Sequence, residues 1–224
     1  MSTKMKAIEL VMDWNMWPRQ SAQTLDSTNV ARMREFLRVG GILPPVVINA
    51  KDYRIVDGFH RTRAHLDVFG DDADIQVIAK KYAKESEMFV DAGRLNSSHG
   101  LPMGPKDRAH FIAKCRKMKV PYIVAAEAIG MNVDSMKKFF AERTARTESG
   151  EVIPLSAGGR GLAGKVLTPA QEHFARTSNG AVPEMYISML INALRADAVQ
   201  LSDRTISRLI ELDKEIQVIL DGVA

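Results

Sequence analysis

The sequence predicts an α+β protein, with a mixed α/β unit over the first hundred residues and helices after it. Three observations carry this expectation. Two short runs rich in β-branched residues, Val46-Val47-Ile48-Asn49 and Tyr53-Arg54-Ile55-Val56, lie close together between Pro44-Pro45, Lys51-Asp52 and Asp57-Gly58. Stretches with apolar residues at helical spacing alternate with these runs, and beyond Pro105 the helical pattern stands alone. The chain has 224 residues, 46% of them hydrophobic, which is material for one large or two small domains with a buried core.

Each element has its own signal. Val30, Met33 and Leu37 fall on one helical stripe that stops at Gly40-Gly41. The two β-branched runs read as a hairpin or as neighbouring strands, and Asp57-Gly58 closes the second. Phe59 to Phe69 reads as a helix, broken at Gly70-Asp71-Asp72, and Ile75 to Ala79 as a third strand. Lys84 to Leu95 forms a further helix, which Asn96-Ser97-Ser98-His99-Gly100 should interrupt. Asp107 to Met118 places Phe111, Ile112 and Cys115 at helical spacing, and Pro121 to Arg146 reads as two helices divided at Gly130-Met131-Asn132. Five of the fifteen glycines lie between Thr147 and Thr168, as expected of a linker or long loop. Within them Gly159 to Lys165 imitates part of a phosphate loop, but Val166 stands where that motif needs Ser or Thr. Pro183 and Ser202 mark the starts of two C-terminal helices, with Leu209, Leu212, Ile216 and Ile219 spaced for a short dimer seam. The expected division is 1–102, 103–146, 147–168 as linker and 169–224 as a small helical region.

Charge and cysteine content narrow the function. Residues 101–150 hold ten Lys+Arg against five Asp+Glu, while the whole chain nets only +4. A local basic excess on a balanced protein is the footprint of a phosphate-backbone contact, or else a solvated helical face. The single cysteine, Cys115, rules out an internal disulfide and any zinc site needing two thiolates, and favours a reducing, cytoplasmic setting. The five histidines form no metal set, and no apolar stretch is long enough for a membrane span.

The most informative segment runs from Arg54 to His65. A strand enters Gly58 and passes straight into a basic helix start, where the first N–H groups lack intrahelical partners and the helix dipole favours anions. His60, Arg61 and Arg63 concentrate cationic donors there, and the same residues also allow Arg61 and Arg63 simply to pair with Asp57 or Asp67.

These residues carry a resemblance. Trp17-Pro18-Arg19, Gly41-Ile42-Leu43-Pro44-Pro45-Val46-Val47, Tyr53-Arg54-Ile55-Val56-Asp57-Gly58 and Asn96 resemble, in order and spacing, the N-terminal domain of ParB-like proteins, of the ParB/sulfiredoxin fold. In that family a Gly-Glu-Arg-Arg-x-Arg-Ala box holds the triphosphate of CTP, with Mg²⁺. The resemblance therefore implies a nucleotide at Gly58, His60, Arg61 and Arg63, with Asn96 and His99 beside it. Leu95 stands where a later family box has glutamate, which takes a carboxylate away from the metal. The box also resembles the sulfiredoxin Gly-x-Cys-His-Arg, but Phe59 occupies the cysteine's place and cannot act as a nucleophile. The Asn96-to-Pro102 stretch with Asp107-Arg108 resembles the branch found in antibiotic-cluster regulators and mobile-element proteins, which bind DNA through a following helix-turn-helix.

Tyr122 to Phe139 supplies such a pattern. Ala126, Gly130 and Met136 fall where a helix-turn-helix needs close packing, a turn and a core contact. A second helix entering the major groove would offer Asn132, Asp134, Ser135, Lys137 and Lys138 to base edges, and Arg143 and Arg146 to phosphates. The expectation is a nucleoid-associated, double-stranded-DNA-binding protein, homodimeric and nucleotide-modulated, acting in partition or transcription regulation, with no catalytic or metal-ligating residues assigned. The rival is a nucleotide hydrolase or nuclease, for which Asp57 and Asp67 are the only carboxylates near the anion box.

Overall fold

The computed structural model describes residues 2–19, 25–98, 103–178, 183–196, 198–199 and 202–223. They fall into two units, Met1–Gly180 and Ala181–Ala224. In the first, β1 (Thr3–Lys6) is followed by α1 (Ser27–Arg38), β2 (Val46–Asn49), β3 (Ile55–Asp57), α2 (Phe59–Phe69), β4 (Asp74–Lys80) and α3 (Glu85–Ser98). Then come α4 (Pro105–Lys117), α5 (Tyr122–Ala128), α6 (Val133–Glu142), β5 (Thr144–Arg146), β6 (Val152–Pro154) and α7 (Pro169–Thr177). The fold is α+β, as the sequence predicts.

Four strands form a sheet in the order β1-β4-β2-β3. β2 runs antiparallel to β3 and parallel to β4, and β1 closes the other edge antiparallel to β4. Every residue of β2 is buried because both faces of the sheet are covered. Val46, Ile48 and Ile55 pack on one face with Phe59, Ile75 and Val77. Val47 and Val56 face the other way, into a core with Met88, Phe89, Phe111, Ile112, Ala126 and Met136. That second core joins the sheet, α3, α4, α5 and α6, so the packing runs without a break through the boundary expected near residue 102.

Three expectations change. Asn96 and Ser97 do not interrupt their helix: Asn96 Nδ2 donates to Ala92 O and Ser97 Oγ to Gly93 O, satisfying the side chains along the helix they extend. Residues 147–168 are folded, with β5 and β6 forming an antiparallel pair and a 3-10 helix spanning Ala157–Leu162. Ala145, Ile153, Leu155, Leu167 and Ala175 bury a small core of their own there, which also draws α7 into the first unit. Gly150 and Gly164 turn the chain at positive φ, and Gly158, Gly159 and Gly161 lie in the 3-10 helix. The helical region 103–146 thus ends in a strand, β5.

The second unit contains α8 (Pro183–Arg195) and α9 (Asp203–Val223). Ser202 accepts from the Thr205 N–H at 3.2 Å, as expected of an N-cap. Where burial is described, over 186–196, 198–199 and 202–221, none of its residues is buried, and Ile187, Met189, Ile210, Val218 and Ile219 are each more than half exposed.

Gly93 of α3 tests the core. A Cβ there would sit 2.2 Å from Phe111 Cε2, and that ring is wholly buried against Phe89. Gly93→Ala should destabilise the protein by about 1–3 kcal/mol by overpacking, against the usual helical gain, as read from urea unfolding.

Candidate functional site: the strand-helix junction and the α5–α6 pair

β3 ends at Asp57, Gly58 caps α2 with φ 117°, and Phe59 begins the helix. A side chain is excluded at Gly58 by this backbone and by its neighbours. A Cβ would meet Val46 Cγ2 at 2.8 Å and the Nε and Nη2 of Arg61 at 3.2 Å. The glycine therefore makes room for the protein's own arginine. Arg61 donates from Nη1 to Pro44 O at 3.0 Å and Pro45 O at 2.7 Å, and from Nη2 to the Asp57 carboxylate. Arg63 points elsewhere: its Nε lies 2.8 Å from Asp67 Oδ1, and Arg34 approaches the other oxygen at 3.5 Å. The alternative pairing that the sequence allowed is thus the one adopted by both arginines.

His60 Nε2 accepts the Asp26 backbone N–H at 3.1 Å, tying the start of α2 to the cap of α1. Burial first, and Arg19 next, push the imidazole below its ordinary value, so the ring is neutral at pH 7. Asn96 accepts from Arg19 Nε at 3.3 Å while donating to Ala92 O. Arg19 itself is largely buried, and Asp107 stands 3.7 Å away. The sequence marked Arg19 only as part of a motif. Its role as the partner of Asn96, 77 residues on, depends on how the N-terminal segment crosses α3. His99 lies outside the described residues.

These groups surround a cavity of about 530 Å³. Gly58, His60, Arg61 and Asn96 line it and Arg63 does not; Trp17, Met33, Leu43, Val47 and Leu95 supply apolar walls. Phe59 is buried against Trp17, ring centroids 4.4 Å apart, and belongs to the core. Cys115 is likewise buried, its thiol pushed up to about 12 by desolvation, far from nucleophilic use. Among the described residues no three His, Cys, Asp or Glu side chains converge as a metal site. Asp57 and Asp67, the two carboxylates near the box, are both held by arginines.

The α5–α6 pair has the packing its sequence requires. Gly130 turns the chain at φ 65°, Ala126 and Met136 are fully buried between the helices, and Asn132 caps α6 by accepting from Ser135 N at 2.8 Å. Asn132, Asp134, Ser135, Lys137 and Lys138 are exposed along one side of α6. Lys137 also reaches over the Tyr122 ring at 5.6 Å. Arg143 is the C-cap of α6, partly buried over Phe139, with Nη1 enclosed and without a hydrogen-bond partner. Arg146 sits not on the helix but in β5, exposed. The helix ends sooner than the sequence suggests because Thr144 turns into the small second lobe.

An α+β unit with a glycine-capped junction and an exposed helix pair is the class these observations define. No protein family model matches the chain. A possible regulatory protein of the streptomycin biosynthesis operon of Streptomyces griseus is 31% identical over 107 residues, which are 47% of this chain. The chain spans 29% of that protein's length. This relative fits the antibiotic-regulator branch that the sequence motifs resemble. Among solved structures the chain is similar to C-terminally truncated ParB from Caulobacter crescentus, complexed to the centromeric parS site. That match has TM-score 0.44 and 14% identity, over 62% of this chain and 70% of the other. The same protein complexed with CTP-γ-S gives TM-score 0.36 and 16% identity, over 63% and 77%. A pNOB8-like ParB N-domain gives 0.39 and 12%, over 83% and 61%. No helix among the described residues is long and apolar enough to cross a membrane.

The His60 contact predicts a pH dependence. Its folded-state value lies below the unfolded one, so the unfolded chain takes up the proton first. The stability it contributes is present above pH 6.5 and is lost as pH falls through the folded value. An NMR titration should place the His60 transition below 6.5, and His60→Gln should flatten the acid limb of the unfolding curve.

Proposed function

We propose that the chain is a sequence-specific, double-stranded-DNA-binding protein of the ParB-like type, acting in partition or transcription regulation, with a nucleotide in the junction cavity as modulator. The observation that carries the DNA reading is α6. Its inner side is anchored by the buried Met136, while Ser135, Lys137 and Lys138 stand exposed near its N-terminal end, beside the cap residue Asn132. A helix so mounted can enter a major groove with its first turns toward base edges. Asp134 disfavours phosphate and suits a base-edge amine, and the basic excess of residues 101–150 supplies the field. Arg146 on β5 remains a phosphate contact in this reading, and Arg143 supports the end of α6.

The nucleotide is supported by the cavity's size, which lies within the usual range for small ligands, and by its place at the start of α2. CTP is the nucleotide the family resemblance names. Magnesium does not fit: Asp57 is engaged by Arg61, and Leu95 offers no oxygen. No catalytic step follows from this site.

The exposed apolar faces of α8 and α9 support self-association. A unit of this size with no buried residue among those described needs a partner to cover its apolar faces, and a second copy would bring an identical stripe from Ile206 to Leu220. Sedimentation of the full chain should show a dimer at micromolar concentration, and Ile210→Glu with Ile216→Glu should return it to monomer.

Footprinting on genomic DNA tests the main reading. Wild-type protein should protect discrete sites. Lys137→Ala with Lys138→Ala should lower affinity for the protected sites about ten- to hundredfold and relax the site preference, while thermal melting stays unchanged. Retained protection at wild-type affinity would remove α6 as the reading helix.

A further inference from the structure

We propose that the junction cavity takes a ligand with at most one phosphate group and no metal ion, a nucleoside or nucleoside monophosphate rather than a magnesium-bound triphosphate. This rests on the nucleotide reading above and narrows its charge class.

The space over Gly58, where a polyphosphate would approach the backbone, is filled. Arg61 lies across it, with Nε and Nη2 3.2 Å from the position a Cβ would take. That guanidinium already serves two proline carbonyls and one carboxylate, and its side chain is 13% exposed. Its Nε–H and second Nη2–H have no acceptor among the described residues, but a phosphate taking them would share one guanidinium with the Asp57 carboxylate and set two anions side by side in a largely desolvated place. Of the other polar side chains in the lining, the Asn29 amide is available to a ligand, whereas His60 and Asn96 are committed. His60 is neutral and accepts from Asp26 N–H, and Asn96 has its oxygen on Arg19 and its nitrogen on Ala92.

Among the described residues of the cavity wall, Arg61 and Asp57 are the ionised members, and their charges cancel. Arg19 adds one cation nearby, but Asp26 and Asp107 lie close enough to influence the same surroundings. A triphosphate brings several negative charges, and neither a free cation pair nor a metal-binding carboxylate set meets them among the described residues. The backbone N–H groups at the start of α2 can meet a single phosphate. The rest of the lining is apolar and suits an uncharged ring system.

Calorimetric titration of the full chain with cytidine, cytidine monophosphate, and cytidine triphosphate with and without Mg²⁺ decides the matter. The triphosphate should bind no more tightly than the monophosphate, and Mg²⁺ should change nothing. Asp57→Asn, checked for folding by thermal melting, releases Arg61. It should raise triphosphate affinity by about tenfold, the worth of one charge-assisted hydrogen bond, and leave cytidine unaffected. A wild-type triphosphate affinity more than about tenfold above that of the monophosphate, dependent on Mg²⁺, overturns the charge limit and leaves the nucleotide reading standing. Absence of binding in every arm overturns both. If Asp57→Asn does not fold, the wild-type series alone decides; if it folds and triphosphate affinity is unchanged, the Asp57–Arg61 pair is not what sets the limit.

Discussion

The grip of Arg61 on Asp57 and on the carbonyls of Pro44 and Pro45 holds together the part of the molecule where chemistry is expected. It joins the entry of β2, the end of β3 and the start of α2 through one planar group. A cation in the first turn of a helix is disfavoured by the dipole, and here the opposing carboxylate and two carbonyls offset that cost. Removing either charged partner would strand the other in a largely desolvated place, at a cost of about 3–5 kcal/mol for a fully buried pair and less here, where Asp57 is 24% exposed. The same contact shapes the cavity, since Pro44, Pro45, Asp57 and Arg61 all line it. Fold and binding capacity therefore depend on the same side chain.

The cavity and the exposed helix pair also share a core. Val47 lines the cavity and belongs to the apolar cluster that includes Met136 of α6, with Leu95 packed against the same cluster. A ligand that shifted Val47 or Leu95 would press on side chains in continuous contact with α6. Such contiguity is a physical precondition for coupling, and the interior's close packing gives it little slack.

Much of this was legible from residue types. β2 and α2 occupy the segments their patterns indicate, because β-branched runs and a 3.6-residue stripe are local signals. β1 left no such trace: Thr3–Lys6 alternates with lysines at a sheet edge, and pairing with β4 alone makes it a strand. The glycines of 147–168 read as a linker, but composition cannot show that Ile153, Leu155 and Leu167 meet Ala145 and Ala175. At the site, Gly58 and the three basic side chains after it were visible, whereas their engagements were not. Arg61 and Arg63 differ by two positions, which on a helix sends one toward the cavity and the other to Asp67 on the outside. Arg19 meets Asn96 across 77 residues, a distance no spacing rule spans.

Only Arg143 separates the last residue of α6 from β5, and Leu155 N returns to Arg143 O at 2.8 Å. The helix is consequently fastened at its far end by a folded lobe. Its pitch and roll belong to the block from Gly104 to Ser178 as a whole. A substitution in that lobe would therefore reset the angle of α6 without touching the helix itself.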